Sequence, residues 1–257
     1  MKTILFIIIA IILNCTGLLA QFEINSSFNP VPGNEENIWS VNAKELSPGK
    51  AGENVAWDFS KISPTGDSNV TVYTISSATP YYKDFPLSNL ASFTLNGNSY
   101  IYYKVLNDSY ESLGNGQKFG VIKYLTPQIL MQYPLSYNTS FTSNFTGSGT
   151  SEGYKFNICG TFTETYDAYG TILLPSGKSD VIRLKSVCIV YDTLYSDNAV
   201  MSTNFYTSIT YNWYKKNYRF SIFYTDETTS NNGTLQSAGY VKNSLTVDNS
   251  RLKTDSY

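Results

Sequence analysis

The sequence predicts an all-β protein, an antiparallel β-sandwich-like domain with long central strands and little helix apart from a signal peptide. Runs of β-branched and aromatic residues alternate with Gly-, Pro-, Asn- and Ser-rich clusters such as residues 114–116 and 147–149. No long stretch keeps the 3.6-residue period of an amphipathic helix. The chain also has 22 Tyr, 14 Phe and 3 Trp, side chains that favour strands and bury large areas.

The clearest single prediction is a β-hairpin over residues 166–195. Its turn lies at residues 175–178, between two apolar runs that are typical of strands. Pro175 presets φ for a turn, and Gly177 accepts a positive φ without steric strain. This hairpin is therefore expected to form the centre of the fold.

The second strand of this hairpin extends from Asp180 toward Tyr195 and is longer than most strands. We therefore expect it to bend or to change sheets midway. Residues 181–184 carry apolar side chains on both faces, which is typical of a central strand covered on both sides. Arg183 and Lys185 interrupt one face and indicate either an exposed edge or a paired charge.

Further strands are expected along the rest of the chain, and only residues 85–91 favour a helical turn. The predicted strands are residues 38–41, 70–75, 100–105, 119–125, 128–133, 141–145, 154–165 and 240–247.

The C-terminal hairpin allows a prediction of register. A two-residue loop at residues 216–217 pairs Trp213 with Phe220 and Tyr211 with Ile222, so apolar side chains share one face. A slip of one residue would turn that face toward solvent.

Residues 1–20 are predicted to be a signal peptide. Lys2 gives a positive start, residues 4–13 form an apolar core, and residues 18–20 offer a small-residue cleavage site. The alternative is lipoprotein processing at Cys15. The apolar run is too short to span a bilayer, so no membrane insertion is expected after the signal is removed.

The mature chain, residues 21–257, is expected to be a single all-β domain that begins with a loosely structured segment, residues 21–52. Its predicted location is extracellular or at the cell surface, with the periplasm as the alternative. The formal net charge is −2 and charged residues make up 15% of the chain, which argues against a nucleic-acid partner.

The absence of histidine excludes Ser-His-Asp and Cys-His catalysis and His-ligated zinc. No phosphate-binding glycine loop and no nucleophile elbow is present, so no cofactor and no metal site is predicted. A pair of carboxylates can hydrolyse glycosidic bonds without histidine. The carboxylates considered for that role are Asp58, Glu111, Glu152, Glu164, Asp167 and Asp192.

Two further pairs of residues are candidates for specific roles. Cys159 and Cys188 remain after signal removal and either form a disulfide or stay as buried free thiols. Tyr206 and Tyr214 fall on the face opposite Trp213 and are the candidate ligand-facing residues, because exposed rings stack on sugars. The alternative is that a second sheet or loop covers them.

Several structural motifs occur together. They are Gln21 after the predicted cleavage site, Trp57-Asp58-Phe59-Ser60, Phe85-Pro86 followed by Asn89-Leu90-Ala91, and Asp167-Ala168-Tyr169-Gly170-Thr171 through Pro175-Ser176-Gly177 to residues 181–185. The chain from residue 53 to 224 thereby resembles an all-β domain of Bacteroidota secreted proteins that often precedes a type IX secretion sorting domain. Ala168 stands where that group tends to have Gly, and no sorting domain is recognised here. The resemblance implies fold and secretion but no catalytic residues.

The leading hypothesis is an exported, non-enzymatic β domain that acts in surface structure, adhesion or ligand binding. Its expected partner is a glycan or another surface protein, and the oligomeric state is left open. The alternatives are a carboxylate-dependent glycan hydrolase and a structural passenger domain without a ligand.

Overall fold

The structure is a computed structural model that describes residues 22–44, 46–95 and 97–241. Within these ranges the chain forms strands and three short 3-10 helices, Ser26–Phe28, Ser76–Ala78 and Tyr82–Asp84. The strands are β1 (Glu35–Val41), β2 (Gly52–Asp58), β3 (Pro64–Thr74), β4 (Leu90–Thr94), β5 (Ser99–Val105), β6 (Ser109–Gln117), β7 (Gly120–Gln132), β8 (Ser140–Ser151), β9 (Tyr154–Leu174), β10 (Gly177–Ser196), β11 (Ala199–Lys215), β12 (Ser221–Ser230) and β13 (Gly233–Val241). The predicted all-β class is confirmed.

Twelve of these strands close into an antiparallel barrel. The order around the ring is β10-β11-β12-β13-β1-β3-β4-β5-β6-β7-β8-β9, and β9 pairs again with β10. The remaining strand, β2, runs parallel to β9 and pairs with it alone. The predicted sandwich-like arrangement is therefore corrected to a closed barrel. The segment 21–52, for which the sequence predicts little regular structure, supplies β1, and β1 joins β13 to β3.

Contacts across the ring identify the inward face of the strands. Tyr73 of β3 stacks on Phe220, which precedes β12, with 5.4 Å between ring centroids. Tyr110 of β6 and Leu130 of β7 belong to the same apolar cluster. Because β6 and β7 lie across the ring from β12, these side chains meet in the barrel interior.

The β9–β10 hairpin has the predicted turn. Gly177 pairs with Leu174 across the loop residues 175–176, and the φ of Gly177 is 122°. Residues 181–184 are all buried, which confirms β10 as a central strand. β10 pairs with β9 and β11 along its length. The predicted change of sheets therefore does not occur.

Arg183 is the buried charge on the outward face of β10. It is 1% exposed, and its Nε and Nη2 donate to the two carboxylate oxygens of Asp167 at 2.9 and 2.8 Å. Asp167 sits at a register shift between β9 and β10, which turns it toward Arg183. The guanidinium also lies over the rings of Trp57, Tyr211 and Trp213 at 5.4, 4.8 and 5.7 Å. The paired-charge interpretation of Arg183 is thus confirmed.

Two segments cover parts of the outer surface. The chain that leads into and out of β2 packs Trp57 edge-on against Trp213, with 5.7 Å between ring centroids. The segment between β3 and β4 stacks Phe85 on Tyr102 of β5 at 4.2 Å. The 3-10 helix Tyr82–Asp84 lies in this segment, just before the predicted helical turn.

The register predicted for the C-terminal hairpin is wrong. Trp213 pairs with Phe223 rather than Phe220, and β12 begins only at Ser221. Arg219 and Phe220 leave the ladder because they have other partners. Arg219 donates to backbone carbonyls of the N-terminal segment, and Phe220 packs inside the barrel.

No helix in the described part of the chain is long and apolar enough to cross a lipid bilayer. The predicted signal peptide, Cys15 and the end of the strand predicted at residues 240–247 lie outside the described residues.

Candidate functional site

A cavity of about 210 Å³ lies inside the barrel. Its walls come from strands on opposite sides of the ring, including β1, β3, β6, β7 and β11. The aromatic residues that line it are Phe28, Tyr73, Tyr110, Tyr133, Tyr214 and Phe220. The polar residues that line it are Asn29, Glu36, Asn212, Arg219 and Ser221.

The N-terminal segment before β1 lies against this cavity. Ile24 is 1% exposed and exchanges two backbone hydrogen bonds of 3.0 Å with Leu135. Arg219 Nη1 donates to the carbonyls of Ser27 and Asn29 at 2.8 and 2.6 Å. The N-terminal segment, which its composition predicts to be loosely structured, is therefore held by the backbone of Ile24 and by Arg219.

Glu36 is the acidic group of the cavity. It lies on β1 opposite Thr71, so it shares the inward face of β3 with Tyr73. Among the described residues its carboxyl group has no hydrogen bond or ion pair. Burial raises the pKa of Glu36 to about 7, because its charged form lacks the hydration it would have at the surface. The half-buried side chain of Glu36 lines the cavity.

A second acid, Glu164, lies in the wall near the cavity. It is 3% exposed, and its carboxyl group accepts a hydrogen bond of 2.6 Å from Ser186 Oγ. Burial raises the pKa of Glu164 to about 8, which outweighs the opposite effect of that hydrogen bond. Burial also raises the pKa of Tyr214, and the nearby charges of Glu164 and Glu36 raise it further. Tyr214 is therefore close to both acids.

Tyrosines form much of the remaining interior. The rings of Tyr103 and Tyr110 lie 4.9 Å apart, and the Tyr103 hydroxyl shares a hydrogen bond of 3.0 Å with Ser92 Oγ. Burial raises the pKa values of Tyr73, Tyr103 and Tyr110. These hydroxyls consequently stay neutral near pH 7 and act only as hydrogen-bonding groups.

The two candidate ligand-facing tyrosines lie on the inward face of β11. Tyr214 lines the cavity and meets Phe28 edge-on, with 6.1 Å between ring centroids. Tyr206 packs in a different interior cluster with Tyr124, and burial raises the pKa of Tyr206 to about 12. As predicted, both side chains lie on the face of β11 opposite to the face that carries Trp213. The barrel encloses that face, however, so the two rings do not form an exposed platform.

The six carboxylates considered for hydrolysis do not line the cavity. Glu164 lies near the cavity residue Tyr214, whose pKa its charge raises. Arg183 holds Asp167, and Lys104 Nζ lies 3.8 Å from Glu111. The others are Asp58, Glu152 and Asp192.

Cys159 and Cys188 are both free thiols in this structure. Cys159 lies opposite Tyr191 in the β9–β10 ladder, whereas Cys188 lies opposite Phe162, so the two are out of register. Cys159 is exposed. Burial raises the pKa of the Cys188 thiol to about 11, so it is little ionised at neutral pH.

Sequence reasoning missed Glu36. It alternates with Ile38 and Ser40 along β1, so a strand would place it on one face with them. Its neighbour Glu35 has the same chemistry and is exposed. Only the closure of the ring decides which of the two acids points inward.

A second cavity of about 220 Å³ lies beside Leu46, Tyr211 and Asp226. The carboxylate of Asp226 already accepts hydrogen bonds of 2.6 Å from both Ser208 and Thr210. The other carboxylate of this lining, Glu227, accepts a hydrogen bond of 2.8 Å from Gln236 Nε2, so both acids have partners, in contrast to Glu36.

No cluster of three or more His, Cys, Asp or Glu side chains within residues 22–44, 46–95 and 97–241 is placed to hold a metal ion. A scan against protein-family models and searches of curated proteins and of solved structures found no match. Function is therefore inferred from the cavity itself.

Proposed function

We propose that the protein is an exported, non-enzymatic binding protein that holds a small ligand in the cavity inside its barrel. Export rests on the predicted signal peptide, residues 1–20. The binding site rests on the cavity. Of the three roles in the leading hypothesis, which are surface structure, adhesion and ligand binding, the cavity favours ligand binding.

The observation that carries the proposal is the unpaired polar surface of the cavity. The carboxyl group of Glu36 and the hydroxyl groups of Tyr73 and Tyr214 have no hydrogen-bond partner among the described residues. Polar groups removed from bulk water normally have partners, since leaving one unpaired costs about 1 to 3 kcal/mol. A ligand that supplies those partners explains why such groups line the cavity.

The cavity volume restricts the size of the ligand. At about 210 Å³ it is smaller than the pockets of roughly 300 to 1,000 Å³ that hold drug-sized molecules. It suits a small molecule and is too small for a polysaccharide chain. If a glycan is the ligand, a single small sugar is the form that this cavity accommodates.

The proposal is tested by a thermal-shift and native mass-spectrometry screen of the mature chain. The panel contains small organic cations, carboxylates, neutral sugars and apolar molecules. At least one class should raise the melting temperature and remain bound in the mass spectrum. Tyr214→Phe should weaken that binding about two- to tenfold, because one hydrogen bond is lost and the ring is kept.

The matched control is Tyr206→Phe, since Tyr206 lies on the same face of β11 but in a different interior cluster. It should leave the ligand's affinity unchanged. Binding that is equally insensitive to both variants would move the site elsewhere and support adhesion through the outer surface. Release of sugar would support the glycan hydrolase. Failure of every ligand class to bind would favour a structural passenger domain.

A further inference from the structure

The walls of the cavity, as far as the structure describes the chain, combine aromatic rings with a single acid. Tyr73, Tyr110, Tyr133 and Tyr214 are joined by Phe28 and Phe220 around one side chain of negative charge, Glu36. The face of an aromatic ring carries negative electrostatic potential, and the attraction between that face and a cation is strongest where water is excluded. Rings and carboxylate thus favour the same sign of charge.

Arg219 is the positively charged residue of the lining, and its guanidinium is committed elsewhere. Its Nη1 donates to the carbonyls of Ser27 and Asn29. No ion pair joins Arg219 to Glu36 within the described part of the chain. The charge of Glu36 is therefore left for a ligand.

We propose that the cavity binds a small organic ammonium ion, with Glu36 as its counterion and the surrounding aromatic rings as its cage. This inference rests on the proposed function and names its ligand class. The hydroxyls of Tyr73 and Tyr214 accept hydrogen bonds from N–H groups or from a hydroxyl of the ligand. A bare metal ion fits poorly, because Ca²⁺ takes six to eight oxygen ligands and one carboxylate supplies few of them.

The ionisation of Glu36 makes this binding dependent on pH. Burial sets the pKa of Glu36 at about 7, so the fraction in the charged form rises from about one tenth at pH 6 to about nine tenths at pH 8. Only the charged form attracts a cation. The apparent affinity for an ammonium ion should therefore rise about tenfold over this range.

Other groups that face Glu36 do not produce the same dependence. The tyrosines around it are Tyr73, Tyr103, Tyr110, Tyr133, Tyr214, Tyr218 and Tyr224, and burial raises the pKa of each, so they stay neutral. Arg219 keeps its charge throughout. Glu164, with a pKa of about 8, adds to the trend only at its upper end.

The decisive experiment compares choline with its neutral carbon isostere, 3,3-dimethylbutan-1-ol, by calorimetric titration of the mature chain. The two probes have nearly the same shape and hydroxyl group and differ in charge. Choline should bind at least about tenfold more tightly at pH 8. Glu36→Gln should remove most of that preference and flatten the pH dependence.

The control variant is Glu35→Gln, an exposed carboxylate next in sequence, which should bind choline like the wild type. Melting temperatures near wild type for both variants verify folding. Equal affinity for choline and its isostere, absence of choline binding, or an unaltered preference in Glu36→Gln would each overturn the ammonium inference. If a neutral or anionic probe then binds and its binding depends on Tyr214, the cavity remains a ligand site. If no probe class binds, both the proposed binding function and the ammonium inference are overturned.

Discussion

Arg183 and Glu164 lie on adjacent strands of the same sheet, and burial affects the two charges differently. Arg183 has Asp167, two backbone carbonyls and three aromatic rings as partners. Glu164 has a single hydrogen bond, from Ser186. These partners stabilise the charge of the guanidinium inside the protein. The glutamate is largely protonated near pH 7, because burial raises its pKa to about 8.

Replacing Arg183 with Met should lower the free energy of unfolding by about 3 kcal/mol. The substitution keeps an unbranched side chain of similar length but leaves Asp167 without its partner in a largely buried position. Urea denaturation followed by tryptophan fluorescence measures the change. Lys185→Met, on the same face but partly exposed, is the control and should stay within about 0.5 kcal/mol of the wild type.

Glu164→Gln should reduce the dependence of stability on pH. In the folded chain the pKa of Glu164 is about 8, above its unfolded value, so the native state binds more protons between those two values. Stability must then fall as the pH rises through that window, by at most roughly 1.4 kcal/mol per pH unit for this group. Urea titrations at several pH values should give a smaller slope for the variant, with exposed Glu152→Gln as control. An unchanged slope would contradict the protonated state.

At the scale of elements, β2 and the N-terminal segment show how parts outside the regular antiparallel ladder are held. β2 approaches β9 so closely that a Cβ atom on Gly170 would lie 1.9 Å from the carbonyl oxygen of Val55. The N-terminal segment is held instead by hydrogen bonds from Arg219. Arg219 lies in the loop between β11 and β12, where the observed register differs from the predicted one.

Gly170→Ala should therefore displace β2 and lower stability by about 1 to 3 kcal/mol, as expected for inserting a methyl group into a filled site. Thr171→Ala, at the next residue of β9, is the matched control. Hydrogen exchange of residues 52–58 should accelerate in the first variant only. Wild-type exchange there would mean that β2 does not need this close approach.

Arg219→Gln should loosen the N-terminal segment, because two hydrogen bonds from a charged donor are lost or weakened. Faster hydrogen exchange at residues 22–30 is the expected result. Lys216→Gln, an exposed residue of the same loop, should leave exchange unchanged. Equal exchange in both variants would show that the backbone bonds of Ile24 suffice.

At the scale of the whole molecule, closure of the ring links two buried regions that contain different probes, one on the outer face of the barrel and one inside it. Trp39, Trp57 and Trp213 belong to or pack against one apolar cluster, whereas Cys188 packs with a different one. Because every strand of the ring has two neighbours, opening one wall removes support from the next. We expect both regions to unfold together.

This cooperativity is testable with a Cys159→Ser variant, in which Cys188 is the remaining thiol of the described chain. The denaturant dependence of Cys188 labelling should give the same free energy of unfolding as tryptophan fluorescence. The exposed Cys159, in the converse Cys188→Ser variant, should react without denaturant. A lower free energy from Cys188 labelling would indicate that its region opens separately.

Much of the fold is readable from sequence. Proline and glycine at the turn, and apolar residues on both faces of residues 181–184, suffice to predict the β9–β10 hairpin and its central position. The C-terminal register is not readable in this way, because the residues that set it contact segments distant in sequence. Arg219 reaches the N-terminal segment, and Phe220 reaches Tyr73.

The sequence by itself determines that this chain forms strands, where its main hairpin turns, and that histidine chemistry is absent. Tertiary structure decides that the strands close into a barrel, because alternation specifies two faces of a strand and does not say how many sheets they build. That closure also shapes the proposed site. It turns Tyr214 from a candidate surface residue into a cavity wall, and it selects Glu36 over Glu35 as the acid that lines the cavity.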